Sequence, residues 1–338
     1  MTPYRLIGAT LSPYSVKLRA IMRYRRLDFV WVVRDREVNT EVADVRPRII
    51  PVLQLPEDGS YHVDSTPLAY RLEERHPGER SILPDDPVDR LLAHIIEDAA
   101  DEFLNKALFH YRWSYTEDLP FILEAAAREH SWAVSEERAR EIAEKFSARM
   151  GGKIDDLGAG SAHAPLFESY LDRFLGVMEK VLSSNLFFFG KRPSLAEFGI
   201  FGQLYTMSFD PAPMRILRQR APRSYQWVFR IDDLSGIEPG PWRNPADNLD
   251  DAVTSLLMLA AETHLPCLRA QARARERGAD TIEVEILGHP FVQKSFSYPA
   301  KCLDTLLAEY RALDAADRRR ADALLEAAGA LDFFASAR

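Results

Sequence analysis

With 338 residues, 46% of them hydrophobic, the chain can bury a large core and is long enough for two or more domains, which sets aside a disordered reading. A formal charge of -8 opposes general attraction to polyphosphate, so nucleic acid is not an expected partner. No apolar run is long enough to cross a bilayer, and Met1-Thr2-Pro3-Tyr4-Arg5 leads into a β-like stretch instead of a signal-peptide core; the expected location is the cytoplasm, with no membrane partner.

In chain order, Tyr4-Arg5-Leu6-Ile7 reads as a strand and residues 8–11 as a loop. Val16, Leu18, Ala20, Ile21 and Tyr24 then recur at roughly helical spacing and end among basic residues suited to a helix C-terminus. Phe29-Val30-Trp31-Val32-Val33 is a continuous apolar run, expected to be a buried strand beside the first. After an irregular stretch, Pro51-Val52-Leu53-Gln54-Leu55 and Tyr61-His62-Val63 flank a turn at Pro56-Glu57-Asp58-Gly59-Ser60, predicting antiparallel strands. Ser65 is expected to cap a helix to about Arg75, with Pro67 in its first turn.

Pro77-Gly78 and Pro84-Asp85-Asp86-Pro87 close this α/β unit, assigned to residues 1–80. From residue 88 helical periodicity takes over, with Leu91, Ile95, Ala99, Phe103 and Ala107 on one face, and an all-α region is expected over 88–248. Its further helices are predicted over 119–129, 135–150 and 165–182, the last two separated by a Gly-rich loop at 151–160. A helix opening at Ser194, with Glu197 completing a capping box, is apolar all round and expected to be buried. The remainder, 249–338, is predicted as a mixed extension packed on the helical region. It has helices over 249–277, 301–313 and 315–329 and a hairpin pairing 281–287 with 291–298.

Three places carry candidate chemistry. Ser12-Pro13-Tyr14-Ser15 puts a serine at a helix N-cap and proline at the first helical position, where free N–H groups, the helix dipole and the Ser12 hydroxyl together stabilise an anion such as a thiolate. Serine is also a common cap for purely local reasons. Ile50-Pro51 is a candidate cis peptide that would turn backbone groups outward. Asp64-Ser65-Thr66 gathers a carboxylate, a hydroxyl and free N–H groups at a helix start, able to hold an ammonium and a carboxylate together.

In order and spacing these motifs resemble the glutathione transferase superfamily in its serine/cysteine-type classes. The resemblance implies a thioredoxin-like N-terminal domain followed by an all-α domain, with residues 249–338 as an extension that ordinary members lack. It implies that glutathione is the co-substrate, that Ser12 or Ser15 meets its sulfur, and that Pro13 and Tyr14 lie beside it. Ile50 before Pro51 would pair with the cysteinyl portion, and Asp64 and Ser65 would hold the γ-glutamyl end. It further implies a homodimer and a pocket for a hydrophobic electrophile lined by Phe103, Lys106, Phe109, His110 and Trp113, residues that could equally serve core packing.

The sequence departs from the family at Arg46-Pro47-Arg48-Ile49-Ile50, where members usually carry Asn-Pro-x-Gly-(Lys/Gln)-Val, and Asp64 stands where Glu is usual. Cys267 and Cys302 are the only two cysteines, so a disulfide framework is excluded and thiol-disulfide reductase chemistry at Ser12 is disfavoured. His264 and Cys267 lie one turn apart without visible companion ligands, and no metal is expected. Arg269, Arg273, Arg275 and Arg277 are expected to form a solvated helix face. Two functions follow: conjugation of the glutathione thiolate to a hydrophobic electrophile, or a non-catalytic binding or assembly protein of the same fold working through residues 249–338.

Overall fold

Alternation of side chains along β1 (Tyr4–Gly8) divides the first unit into two packed faces in the computed structural model, which describes residues 2–335. Tyr4 and Leu6 point to the face covered by α1 (Pro13–Tyr24) and α3 (Ser65–Arg75), where Leu18, Met22, Leu68 and Leu72 meet them. Ile7 points to the other face, with Val42 and Val52. The sheet runs β2-β1-β3-β4, with β2 (Phe29–Val33) parallel to β1, and β3 (Val52–Gln54) and β4 (Tyr61–Val63) antiparallel.

Several expectations change here. β2 is an edge strand, and Val30 is 44% exposed, so its apolar run does not mark a buried strand. The irregular stretch contains a short helix, α2 (Arg36–Glu41), capped by the Asp35 side chain. Ser65 is the first residue of α3; the cap position belongs to Asp64, which sits at φ +81.

The helical region begins with α4 (Pro87–Ala99), passes through a π-helical turn at Ala100–Leu104, and continues as α5 (Asn105–Ser114). The expected face at Leu91, Ile95, Ala99, Phe103 and Ala107 is buried throughout. After α6 (Leu119–His130), α7 (Glu136–Asp156) runs straight through Gly151 and Gly152, so the glycine loop reduces to residues 157–160. α8 (Ala164–Val181) follows, and α10 (Pro211–Arg220) and α11 (Pro222–Ile231) are helices for which no individual prediction stood.

α9 (Leu195–Met207) is the buried helix expected, with the Ser194–Glu197 capping box formed and Glu197 also accepting the Phe188 N–H. Two of its glycines permit close approach. A Cβ at Gly199 would lie 2.8 Å from Glu97 Cγ of α4, and one at Gly202 would lie 2.5 Å from the Pro13 carbonyl oxygen of α1. The central helix therefore rests directly on the first turn of α1.

Residues beyond 249 share the same core. α12 (Asp251–Glu262) packs on α8 and α4, α13 (His264–Arg277) on α12, and α14 (Tyr298–Ala312) on α13 and α4; α15 (Ala315–Ala327) also reaches α4. The hairpin of β5 (Thr281–Ile286) and β6 (His289–Lys294) drives Phe291, 0% exposed, against Phe103, Phe167 and His163. No helix among the described residues is long and apolar enough to cross a membrane.

Candidate functional site

Ser12 takes up the N-cap of α1 with extended backbone, and its Oγ accepts the Ser15 N–H at 3.3 Å. An oxygen that already accepts this bond keeps its own hydrogen to donate outward. Ser15, 0% exposed, is packed beneath Gly8, and its hydroxyl has no hydrogen-bond partner among the described residues. Of the two serines, only Ser12 stands at the mouth of the helix. Tyr14 donates its hydroxyl to the Asp101 carbonyl at 2.9 Å, fastening α1 to the π-helical turn.

Two residues unforeseen from sequence hold the loop before Ser12. Glu129 of α6 accepts the Thr10 and Leu11 N–H groups, and Arg112 of α5 donates to the Leu11 carbonyl at 3.0 Å while pairing with Asp210 at 2.7 Å. No signal in the sequence joins these residues, which lie about a hundred positions from the loop.

Ile50-Pro51 is cis, and so is Arg46-Pro47 in the segment that departs from the family pattern. The backbone groups of Ile50 make no backbone hydrogen bond among the described residues, whereas the neighbouring Ile49 carbonyl accepts Arg34 at 3.3 Å. Asp64 accepts the Tyr298 hydroxyl at 3.0 Å, a contact spanning 234 positions. Burial raises the Asp64 carboxyl above its ordinary range, opposed by the Tyr298 hydrogen bond and the Lys17 charge. Ser65 beside it is 4% exposed.

Behind these residues lies a buried polar network. Lys17, its side chain 0% exposed, pairs with Glu97, with Asp101 at 2.6 Å and with Thr66 at 3.0 Å. Burial opposes its charge, but the two carboxylates outweigh that and hold its proton well above the ordinary range. His94 meets Glu309 at 3.0 Å, and Tyr70 donates to Glu309 at 3.1 Å, while His264 meets Asp98 at 2.7 Å.

Burial works against a charged His94, yet Glu309 and Glu97 push it up to about 9. Burial pushes Glu102 up to about 8 against the pull of Lys106. His94 thus stabilises the fold fully below its unfolded value of about 6.5 and loses that contribution as pH rises through 9. Glu102 keeps a proton that the unfolded chain releases near 4.5, so its penalty grows from there to 8. Both effects predict a melting temperature that falls between pH 6.5 and 9, and a rise over that interval in calorimetry would contradict them.

The five residues assigned to an electrophile pocket are placed in packing. Phe103 is 0% exposed among Phe167, Tyr170 and Phe291; His110 stacks on Phe167; Trp113 lies against Phe146; Lys106 donates to the Glu102 carbonyl at 2.5 Å; and Phe109 is half-buried. Cys267 and Cys302 are both free, and burial pushes the Cys267 thiol up to about 12. Among the described residues no cluster of three or more His, Cys, Asp or Glu groups could hold a metal, and His264 is engaged by Asp98. Arg269 does not belong to a purely solvated face: it lies over the Phe333 ring and donates to the Asp332 carbonyl at 3.2 Å.

Against known protein families, residues 6–80 match the glutathione S-transferase N-terminal domain and residues 152–239 match the glutathione S-transferase C-terminal domain. Comparison with curated proteins gave no match. Among solved structures, the chain is similar to a glutathione S-transferase from Methylobacterium radiotolerans in complex with glutathione sulfonate, at 21% identity, covering 73% of this chain and 99% of that one with a TM-score of 0.43. Glutathione transferase GSTFuA3 from Phanerochaete chrysosporium is 15% identical, with 68% and 96% coverage and a TM-score of 0.46. Beta-etherase LigF from Sphingobium sp. is 18% identical, with 69% and 95% coverage and a TM-score of 0.45.

Proposed function

Because the chain belongs to the glutathione transferase superfamily, we propose that it binds glutathione across Ser12, Ile50 and Asp64-Ser65 and transfers the thiolate to a hydrophobic electrophile. The observation that carries this reading is the Ser12 hydroxyl, stationed at the N-terminal end of α1 with its hydrogen left to donate. A thiolate placed there gains a charge-assisted hydrogen bond together with the positive end of the helix dipole. Each unit by which its pKa falls corresponds to about 1.4 kcal/mol. Ile50, whose backbone groups make no backbone hydrogen bond among the described residues, would pair with the cysteinyl portion, and Asp64 would take the γ-glutamyl ammonium. The thiolate then attacks the electrophilic carbon, forming a C–S bond as the leaving group departs or as the electron pair moves onto the acceptor. The proposal includes a cytoplasmic location and a homodimer.

Ser12→Ala is expected to lower kcat/KM for conjugation roughly 10- to 100-fold and to raise the pKa of the bound thiol, the equivalent of one hydrogen bond to a charged group. Ser15→Ala, at a packed hydroxyl, should leave that pKa in place. Ultraviolet titration of the glutathione thiolate on each variant checks this directly, and unchanged titration in Ser12→Ala would remove the proposed role. Glutathione at 100 times its dissociation constant should stabilise the wild type by about 2.7 kcal/mol. No thermal shift at millimolar concentration would sink the binding reading.

One observation favours the non-catalytic alternative: Phe291 from the extension fills the space among Phe103 and Phe167, where the electrophile was expected. Glutathione binding with no turnover across a panel of electrophiles would select that reading.

A further inference from the structure

The chain from 249 onward lies outside both matched family domains, yet one of its side chains reaches the candidate ligand site directly. Tyr298 is the first residue of α14 and donates to Asp64 Oδ1 at 3.0 Å. Asp64 holds the cap position of α3 at positive φ, and one of its carboxylate oxygens meets the extension. A second contact joins the same two helices: Tyr70, midway along α3, donates to Glu309, near the C-terminal end of α14, at 3.1 Å, and Glu309 in turn meets His94.

The electrostatics of this corner are suited to one kind of ligand group. A phenol hydroxyl is neutral, so its hydrogen bond orients the carboxylate without cancelling the charge. Asp64, Glu102 and Cys302 all act on both Tyr14 and Tyr298, which places these groups around one small region. Burial keeps Glu102 protonated up to about 8. Asp64 presents its carboxyl group here beside the Tyr298 hydroxyl, with the Lys17 and Glu97 charges acting on it in opposite senses. An ammonium beside a carboxylate, the α-amino acid end of a γ-glutamyl group, fits that arrangement.

We propose that the C-terminal extension completes the γ-glutamyl subsite: Tyr298 orients Asp64 for the ligand's ammonium and makes the protein select γ-glutamyl thiols over the same thiol lacking that group. This rests on the glutathione-binding reading above. Tyr298 is a positioning residue acting through Asp64, supplied by a part of the chain that the family domains do not contain.

The test is calorimetric titration of the full-length wild type and Tyr298→Phe with glutathione and with cysteinylglycine, which keeps the thiol and the glycine but lacks the γ-glutamyl group. Tyr298→Phe retains the ring, and since Tyr298 is 37% exposed the variant should fold with an unchanged melting temperature. The expected result is a glutathione Kd raised roughly 5- to 10-fold, with that of cysteinylglycine changed less than about twofold. Cysteinylglycine binding too weak to measure in both proteins counts as unchanged. Equal weakening of both peptides would assign Tyr298 a structural role only, and an unaltered or tighter glutathione Kd would overturn the proposal as well, the tighter value marking the hydroxyl as a competitor of the ligand. A wild type that binds no glutathione would bring down the functional reading itself, and this inference with it. Wild-type binding with no change in Tyr298→Phe would bring down the inference alone.

Discussion

Lys17→Met should destabilise the protein by about 3–5 kcal/mol, the range for removing one partner of a buried ionic group. The substitution keeps most of the unbranched stem that crosses from α1 toward α4 and deletes only the charge. What it leaves is the cost: Glu97 and Asp101, both buried, would face one another without their shared cation, and Thr66 would lose its donor. The loss should show as a lower midpoint in guanidinium denaturation at pH 7. It should shrink on acidification, because the stranded carboxylates acquire raised folded pKa values and their penalty disappears once they are protonated. Adding Glu97→Gln and Asp101→Asn to Lys17→Met should recover much of the stability, since the triple variant strands no charge. A loss below about 1 kcal/mol in the single variant would mean that water reaches these carboxylates.

Phe291→Ala is expected to cost about 3–5 kcal/mol, the usual range for emptying a buried aromatic site. Phe291 is contributed by the hairpin but touches Phe103, Phe167 and His163, so the cavity would open inside the helical region. If residues beyond 249 fold with the rest, as the shared hydrophobic core indicates, calorimetry should show one transition, displaced as a whole to lower temperature. Two transitions in the wild type, of which only one moves, would show that the extension melts independently.

The elements legible in the sequence were those whose cause is local. Ser12-Pro13 announces a helix start because both residues act within one turn, and Ser194 with Glu197 does the same for α9. Pro56 to Ser60 separates two strands by turn chemistry alone, and the pairing of β3 with β4 follows. Failures came where a competing term decides. Gly151 and Gly152 each cost a helix about 1 kcal/mol, but the flanking helix-forming residues of α7 carry the helix through. The apolar run of β2 looks buried by composition, whereas its place at the sheet edge is fixed by topology.

The candidate site divides the same way. Backbone positions such as the cis peptide at Pro51 could be anticipated from residue type. Side-chain partnerships such as Asp64 with Tyr298, Arg112 with Leu11, and Glu129 with Thr10 could not, since hydrogen bonds between distant positions leave no periodicity to detect. The burial of Phe103 and Ala107 was legible as a helical stripe, but what covers it comes from residue 291.

The π-helical turn at Ala100–Leu104 explains why that stripe could be written at strict four-residue intervals. In an ideal α-helix each such step rotates by roughly 40° beyond a full turn, so Leu91 and Ala107 would drift to different sides. A wider turn absorbs the drift, acting as a phase correction between α4 and α5. It also loosens the carbonyl ladder at the point where other groups need acceptors: Tyr14 takes the Asp101 carbonyl and Lys106 takes that of Glu102. The two halves of the long helix are thereby indexed separately, the first against the extension through His94 and Asp98, the second against the loop at Leu11 through Arg112. The turn is thereby a joint between the stretch of helix that the C-terminal region engages through His94 and Asp98 and the stretch that holds the loop before Ser12 through Arg112, so a change in its pitch would be felt at both.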